Sequence, residues 1–86
     1  MSTITVQLRY FASLREALGA GETFSLASGS TVAQLRDALI ARGDRHAEVL
    51  ARQRAVRVAV QQVMADEAMV LTDGAEVAFF PPVTGG

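Results

Sequence analysis

The sequence predicts an α+β domain, a mixed sheet of four to five strands packed on one main helix. Three observations lead there. The strand and helix patterns fall in the order strand, strand, helix, strand, short strand, strand, which is segregated rather than alternating. Only "SGSTVAQLRDALIARG" carries a full helical stripe between a start and a stop signal. Eighty-six residues, 50% hydrophobic and 20% charged, suit one compact domain with its own core.

The opening "TITVQLRY" alternates strictly, with Ile4, Val6, Leu8 and Tyr10 on one face and Thr5, Gln7 and Arg9 on the other. That period of two describes a half-buried strand. "FASLREALGAG" reads as a short helical turn through Leu14 and Leu18, stopped by Gly19 and Gly21. "ETFSL" alternates again, with Phe24 and Leu26 inward, and is expected to pair with the first strand. In the main helix Thr31 and Gln34 have capping-box spacing. Val32, Leu35 and Leu39 form the apolar stripe, Ile40 widens it, and Gly43 suits a left-handed stop.

"DRHAEVLARQ" is expected to form a short helix or ordered loop with Val49 and Leu50 tucked under. "AVRVAVQ" then gives a strand with Val56, Val58 and Val60 on one face, and "VMADEAMVL" an edge strand with turns. Asp73-Gly74 is a turn signal with no chemistry of its own. "EVAFF" closes the sheet, Val77 and Phe79 inward and Ala78 and Phe80 on the opposite face. One helix lying across such a sheet is the β-grasp arrangement.

Charge and absences narrow the function. A net charge of -1 argues against general nucleic-acid binding. Arg36, Arg42, Arg45, Arg52, Arg54 and Arg57 crowd one stretch, whereas no basic residue follows Val58. A partner gripping the C-terminal third is therefore expected to present positive charge. With no apolar run long enough to span a bilayer and no leader pattern, a cytoplasmic protein free of membranes is expected. There is no cysteine, His46 is the only histidine, and all eight basic residues other than it are arginine. Thiolate and histidine-rich metal sites, cysteine nucleophiles and Schiff-base lysines are thereby excluded. His46 itself is expected on a surface loop.

What remains is the end, "FFPPVTGG", Phe79 to Gly86. The reading divides the chain into a domain over 1–82 and a flexible Gly-Gly tail over 83–86. Pro81 and Pro82 stiffen the exit from the sheet. Four extended residues then reach roughly 13 Å, enough to thread a partner's site, and glycine lets the backbone approach another surface closely. Physically this is a carboxylate on a narrow leash. A mixed anhydride with a nucleotide would make it an electrophile that a sulfur nucleophile can attack.

The block "LTDGAEVAFFPPVTGG", Leu71 to Gly86, closely resembles the C-terminal signature of the small, sulfur-carrying subunit of molybdopterin synthase. "RYFASLREALG", "TVAQLRDAL" and "VAVQQ" are consistent with it over the whole length. The resemblance implies a ubiquitin-like β-grasp fold. It implies that Gly86 is adenylated, with ATP, by an adenylyltransferase related to ubiquitin-activating enzymes, and is then converted to a thiocarboxylate. Gly85 would be its slender neighbour in the partner's channel. The tail (Pro81, Pro82, Val83, Thr84) would enter the large catalytic subunit and give sulfur to cyclic pyranopterin monophosphate, two small and two large subunits forming a heterotetramer. Phe80 and Met64 fall where the family contacts its partners, although Met64 equally suits a gap in the core. The chain would hold no tight cofactor and would not be catalytic alone. One departure stands out, Val60-Gln61 where the family often has "VN". Asparagine takes left-handed turns more readily than glutamine.

Three alternatives stay open at this stage: a sulfur carrier for another pathway such as thiamine's thiazole, a protein modifier joined through Gly86, and a non-covalent β-grasp adaptor with an idle tail.

Overall fold

The computed structural model describes residues 2–81. Met1 and the tail positions Pro82, Val83, Thr84, Gly85 and Gly86 lie outside the described residues, and so does the boundary expected after Pro82. The elements run β1 (Thr3–Tyr10), α1 (Ala12–Leu18), β2 (Gly21–Ala27), α2 (Val32–Ile40), α3 (Asp44–Leu50), β3 (Arg57–Val60), β4 (Val63–Ala65) and β5 (Glu76–Phe80).

The strands form one mixed sheet in the order β2-β1-β5-β3-β4. The first and last strands pair in parallel at its centre, with Tyr10 beside Phe79 and Leu8 beside Val77. The other pairings are antiparallel. This is the expected β-grasp arrangement, with five strands and α2 as the longest helix.

Alternation decides which face is dry. In β1, Ile4, Val6, Leu8 and Tyr10 are buried and their neighbours are exposed. They join Val32, Leu35 and Leu39 of α2, Leu14, Leu50, Val58, Val60, Leu71, Val77 and Phe79 in one core cluster. Each large side chain removed from water there contributes roughly 1.5–3 kcal/mol before entropy is counted.

The α2 capping box forms as read. Thr31 Oγ1 accepts from the Gln34 backbone N–H at 3.3 Å, and Gln34 Oε1 accepts from the Thr31 N–H at 2.9 Å. Three details differ from expectation. Strand β3 starts at Arg57, leaving Val56 in the preceding segment, half-buried against the core. Gly21 does not stop α1 but opens β2, where a Cβ would stand 2.2 Å from the Leu8 carbonyl oxygen. His46 lies in α3, not in a loop, and is mostly covered.

Two turns aim the last strand. Gly74 at φ 82° donates its N–H to Thr5 O at 2.7 Å, and Asp73 Oδ1 accepts the Thr5 N–H at 2.8 Å. The Asp73-Gly74 turn is thereby stitched to β1 and sets the start of β5 beside it. Between β3 and β4 the hairpin places Gln61 and Gln62 at φ 51° and 66°. Both central residues are left-handed, as a type I′ turn requires. Gln61 offsets its poor turn propensity by accepting the Glu76 N–H through Oε1 at 2.6 Å while donating its own N–H to Glu76 O. No helix among the described residues is long and apolar enough to cross a membrane.

Candidate functional site

Strand β5 brings the chain to its exit at Phe80 and Pro81. Because Val77 and Phe79 point into the core, Ala78 and Phe80 point away from the helices. On that outer face the register lines up Arg9, Ala78, Ala59 and Met64 across four strands. Ala78 and Ala59 are only 5% exposed yet lie outside the core cluster, since taller neighbours cover them. The two small residues leave a shallow depression of about 380 Å³, walled by Phe80, Phe11 and Met64 on the apolar side and by Arg9, Glu76 and Gln62 on the polar side.

The expected contact residues Phe80 and Met64 are therefore brought to one surface. Met64 is 58% exposed, which places it on the surface and not in a core gap. Pro81 faces elsewhere, toward a groove beside α1 and α3. Sequence reasoning missed Phe11. Its ring stacks on Phe80 with centroids 4.7 Å apart and planes 8° from parallel. The signal was present: "RYF" and "AFF" end the two strands that pair in parallel, so Phe11 must follow Tyr10 as Phe80 follows Phe79. The Phe11 N–H donating to Phe79 O at 3.2 Å holds that corner.

This surface offers apolar contact and little acid–base chemistry. Glu76 is the one carboxylate in the depression, 3.7 Å from Arg9. Among the described residues no group of three or more histidine or acidic side chains is placed to hold a metal ion.

Three of the six arginines crowded between Arg36 and Arg57 (Arg36, Arg42 and Arg52) form ion pairs within the fold. Arg36, 3% exposed, donates through Nε to Leu50 O at 2.7 Å, through one terminal nitrogen to Ala51 O and Arg54 O at 2.6 and 2.9 Å, and through the other to Glu67 Oε2 at 2.8 Å. Arg52 joins Asp37 and Glu67 on the outside of the same cluster. Burial works to raise the Glu67 carboxyl, but hydrogen bonds from Arg52 and Arg36 outweigh it and hold the group below its usual value. The acidic excess after Val58 is thus partly neutralised by the arginines before it.

A second cluster ties α3 to the sheet. Glu22 accepts from Arg42 at 2.8 Å and Tyr10 Oη at 3.1 Å, with His46 Nε2 at 3.4 Å. Burial again opposes ionisation of Glu22, and the bonds from Arg42, His46 and Tyr10 prevail, keeping it below the ordinary range. Burial and the facing Glu22 charge push the Tyr10 hydroxyl well up. Tyr10 itself is 1% exposed and belongs to the core cluster.

The model of the ThiS family matches residues 8–86. The chain belongs to the ThiS family. This ThiS-family chain is 42% identical over 81 residues to the molybdopterin synthase sulfur carrier subunit of Escherichia coli K12, spanning 94% of this chain and 99% of the relative. Its fold is similar to the solution structure of the Haloferax volcanii HVO 2177 protein, with TM-score 0.83 and 30% identity over 98% of this chain and 88% of that one. It is also similar to a chain in the complex of subunits 1 and 2 of the molybdopterin-converting factor of Helicobacter pylori 26695. There the TM-score is 0.65, with 25% identity over 96% of this chain and 100% of that chain. The resemblance read from Leu71 to Gly86 and the β-grasp fold it implied are both borne out.

Proposed function

We propose that this chain is the sulfur carrier of a molybdopterin synthase, working through a free carboxylate on Gly86. The observation that carries the reading is that the family match runs through Gly86 itself. The 42% identity to a molybdopterin synthase sulfur carrier subunit supports the pathway, and the pairing of subunits 1 and 2 in the Helicobacter pylori complex supports a large catalytic partner.

The chemistry balances with few atoms. A carboxylate oxygen of Gly86 attacks the α-phosphorus of ATP on an activating adenylyltransferase, and pyrophosphate leaves. Hydrosulfide then attacks the acyl carbon and expels AMP, its proton passing to solvent, so one carboxylate oxygen departs with the nucleotide and sulfur takes its place. In the large subunit the thiocarboxylate transfers that sulfur to cyclic pyranopterin monophosphate, and water restores the carboxylate. The chain's own residues position rather than react. Phe80, Phe11 and Met64 hold the partner, Pro81 and Pro82 direct the tail, Val83 and Thr84 span the entrance, and Gly85 passes the narrowest point. Two carriers and two large subunits would assemble in the cytoplasm.

The test is an intact mass after incubation with the host's lysate, ATP and a sulfur source. The expected gain equals one oxygen exchanged for sulfur, mapped to the C-terminal peptide. No gain points to the idle-tail adaptor, and Gly86 joined to another protein's lysine points to the modifier. Thiocarboxylate formation with sulfur passed to a thiazole instead of a pterin points to the thiamine pathway.

A further inference from the structure

The chain leaves the sheet between two walls. One is the Phe80–Phe11 stack on the outer face. The other is a groove of about 380 Å³ on the helix side, which Pro81 lines together with Leu14, Glu48, Val49, Arg54 and Val56. Leu14 forms part of the core, and Val49 and Val56 lie half-buried against it. Arg54 and Glu48 are both exposed, and among the described residues neither takes part in an ion pair.

The far wall has no regular structure, yet it is held. Arg36 binds the carbonyls of Leu50, Ala51 and Arg54 from beneath, so the segment from Ala51 to Val56 is shaped by a buried cation. A surface fixed in this way loses little entropy when a partner arrives.

We infer that this groove is a second contact for the protein that receives the tail. That partner seats an apolar side chain on Val49 and Val56, with a carboxylate facing Arg54 and a hydrogen-bond donor facing Glu48. The inference rests on the carrier reading above. Five residues follow Pro81 and span at most roughly 17 Å when extended. For Gly86 to reach a reacting centre inside another protein, that protein's surface must close around Pro81. It then covers both walls. A stable interface takes about 20–30 residues from each side, more than the Phe80 wall and the tail provide. Contact on one wall alone would also leave the stalk free to swing, at a cost in alignment of the reacting atoms.

The experiment measures affinity for the large synthase subunit by calorimetry, using the full chain and the variants Arg54→Glu, Val56→Ser and Arg45→Glu. Melting curves check the fold of each. Arg54→Glu and Val56→Ser are expected to weaken binding about tenfold each, a typical loss for an interface contact of about 1.4 kcal/mol. Arg45→Glu, exposed on α3 and outside the groove, should stay within about twofold, as a rim charge would. If the parent binds and both groove variants bind equally well, the groove is overturned and the carrier reading stands. If the parent does not bind, both fall. Should Val56→Ser fail to fold, Arg54→Glu decides alone, since its side chain is exposed.

Discussion

Replacing Arg36 by methionine keeps most of the apolar stem and removes the guanidinium, with consequences that follow from its four bonds. Three carbonyls and the Glu67 carboxylate lose their donor. Arg54 is exposed and Ala51 partly so, and their carbonyls can take water instead. Leu50 is fully buried, so its carbonyl stays dry. An unsatisfied buried acceptor costs about 1–3 kcal/mol, and each rehydrated bond about 1 kcal/mol. Glu67 keeps Arg52 as a partner, so the three carbonyls make up the sum, about 3–5 kcal/mol, in agreement with the usual loss on breaking a buried ionic group. For a domain of this size it corresponds to a melting temperature lower by roughly 15–30 °C. Urea unfolding followed by circular dichroism measures it directly. Arg52→Met is the contrast: its side chain is 43% exposed and pairs with Asp37 and Glu67 at the surface. There the expected loss is below about 1 kcal/mol. If Arg36→Met lost no more than Arg52→Met, the view of Arg36 as the anchor of residues 50–54 would be refuted.

Phe80→Ala should weaken binding to the large subunit by roughly 30-fold, the scale of an aromatic anchor, while the fold survives; unchanged affinity by calorimetry removes Phe80 from the interface. Folding holds the Glu22 carboxyl below its unperturbed 4.5, so the stability it contributes is present above that pH and is lost as pH falls through the folded value. Glu22→Gln should therefore be less stable than the parent at neutral pH and nearly equal to it in acid, and equal urea midpoints at both would exclude the cluster. One alanine added after Gly86 should abolish the oxygen-for-sulfur mass gain, and an extended chain that still supported molybdopterin synthesis would falsify the carrier reading.

Much of the fold was legible because its signals are local. Alternation in Thr3–Tyr10 needs only neighbours on the chain, and so does the Thr31–Gln34 box. The features that escaped are assembled from distant segments. Arg36 follows Leu35 in α2 with nothing local to mark it as buried, and its acceptors come from Leu50, Ala51, Arg54 and Glu67. His46 sits in a polar run, but its environment is made by Tyr10 and Glu22. Phe80 was found because alternation places it outward, whereas Phe11 needed the parallel register of the first and last strands. That register is a property of the sheet, not of either strand.

The same register bears on how the molecule is made. The strand at the centre of the sheet is made after the other four, and it alone joins β1 and β2 to β3 and β4. Until Glu76–Phe80 emerges, the two strand pairs have no common ladder, and the core lacks Val77 and Phe79. A copy cut short before Glu76 is therefore expected to lack the shared ladder and to be more open to proteolysis than the full chain. The sheet is thus completed only by the strand that ends at Phe80, where the chain makes its exit.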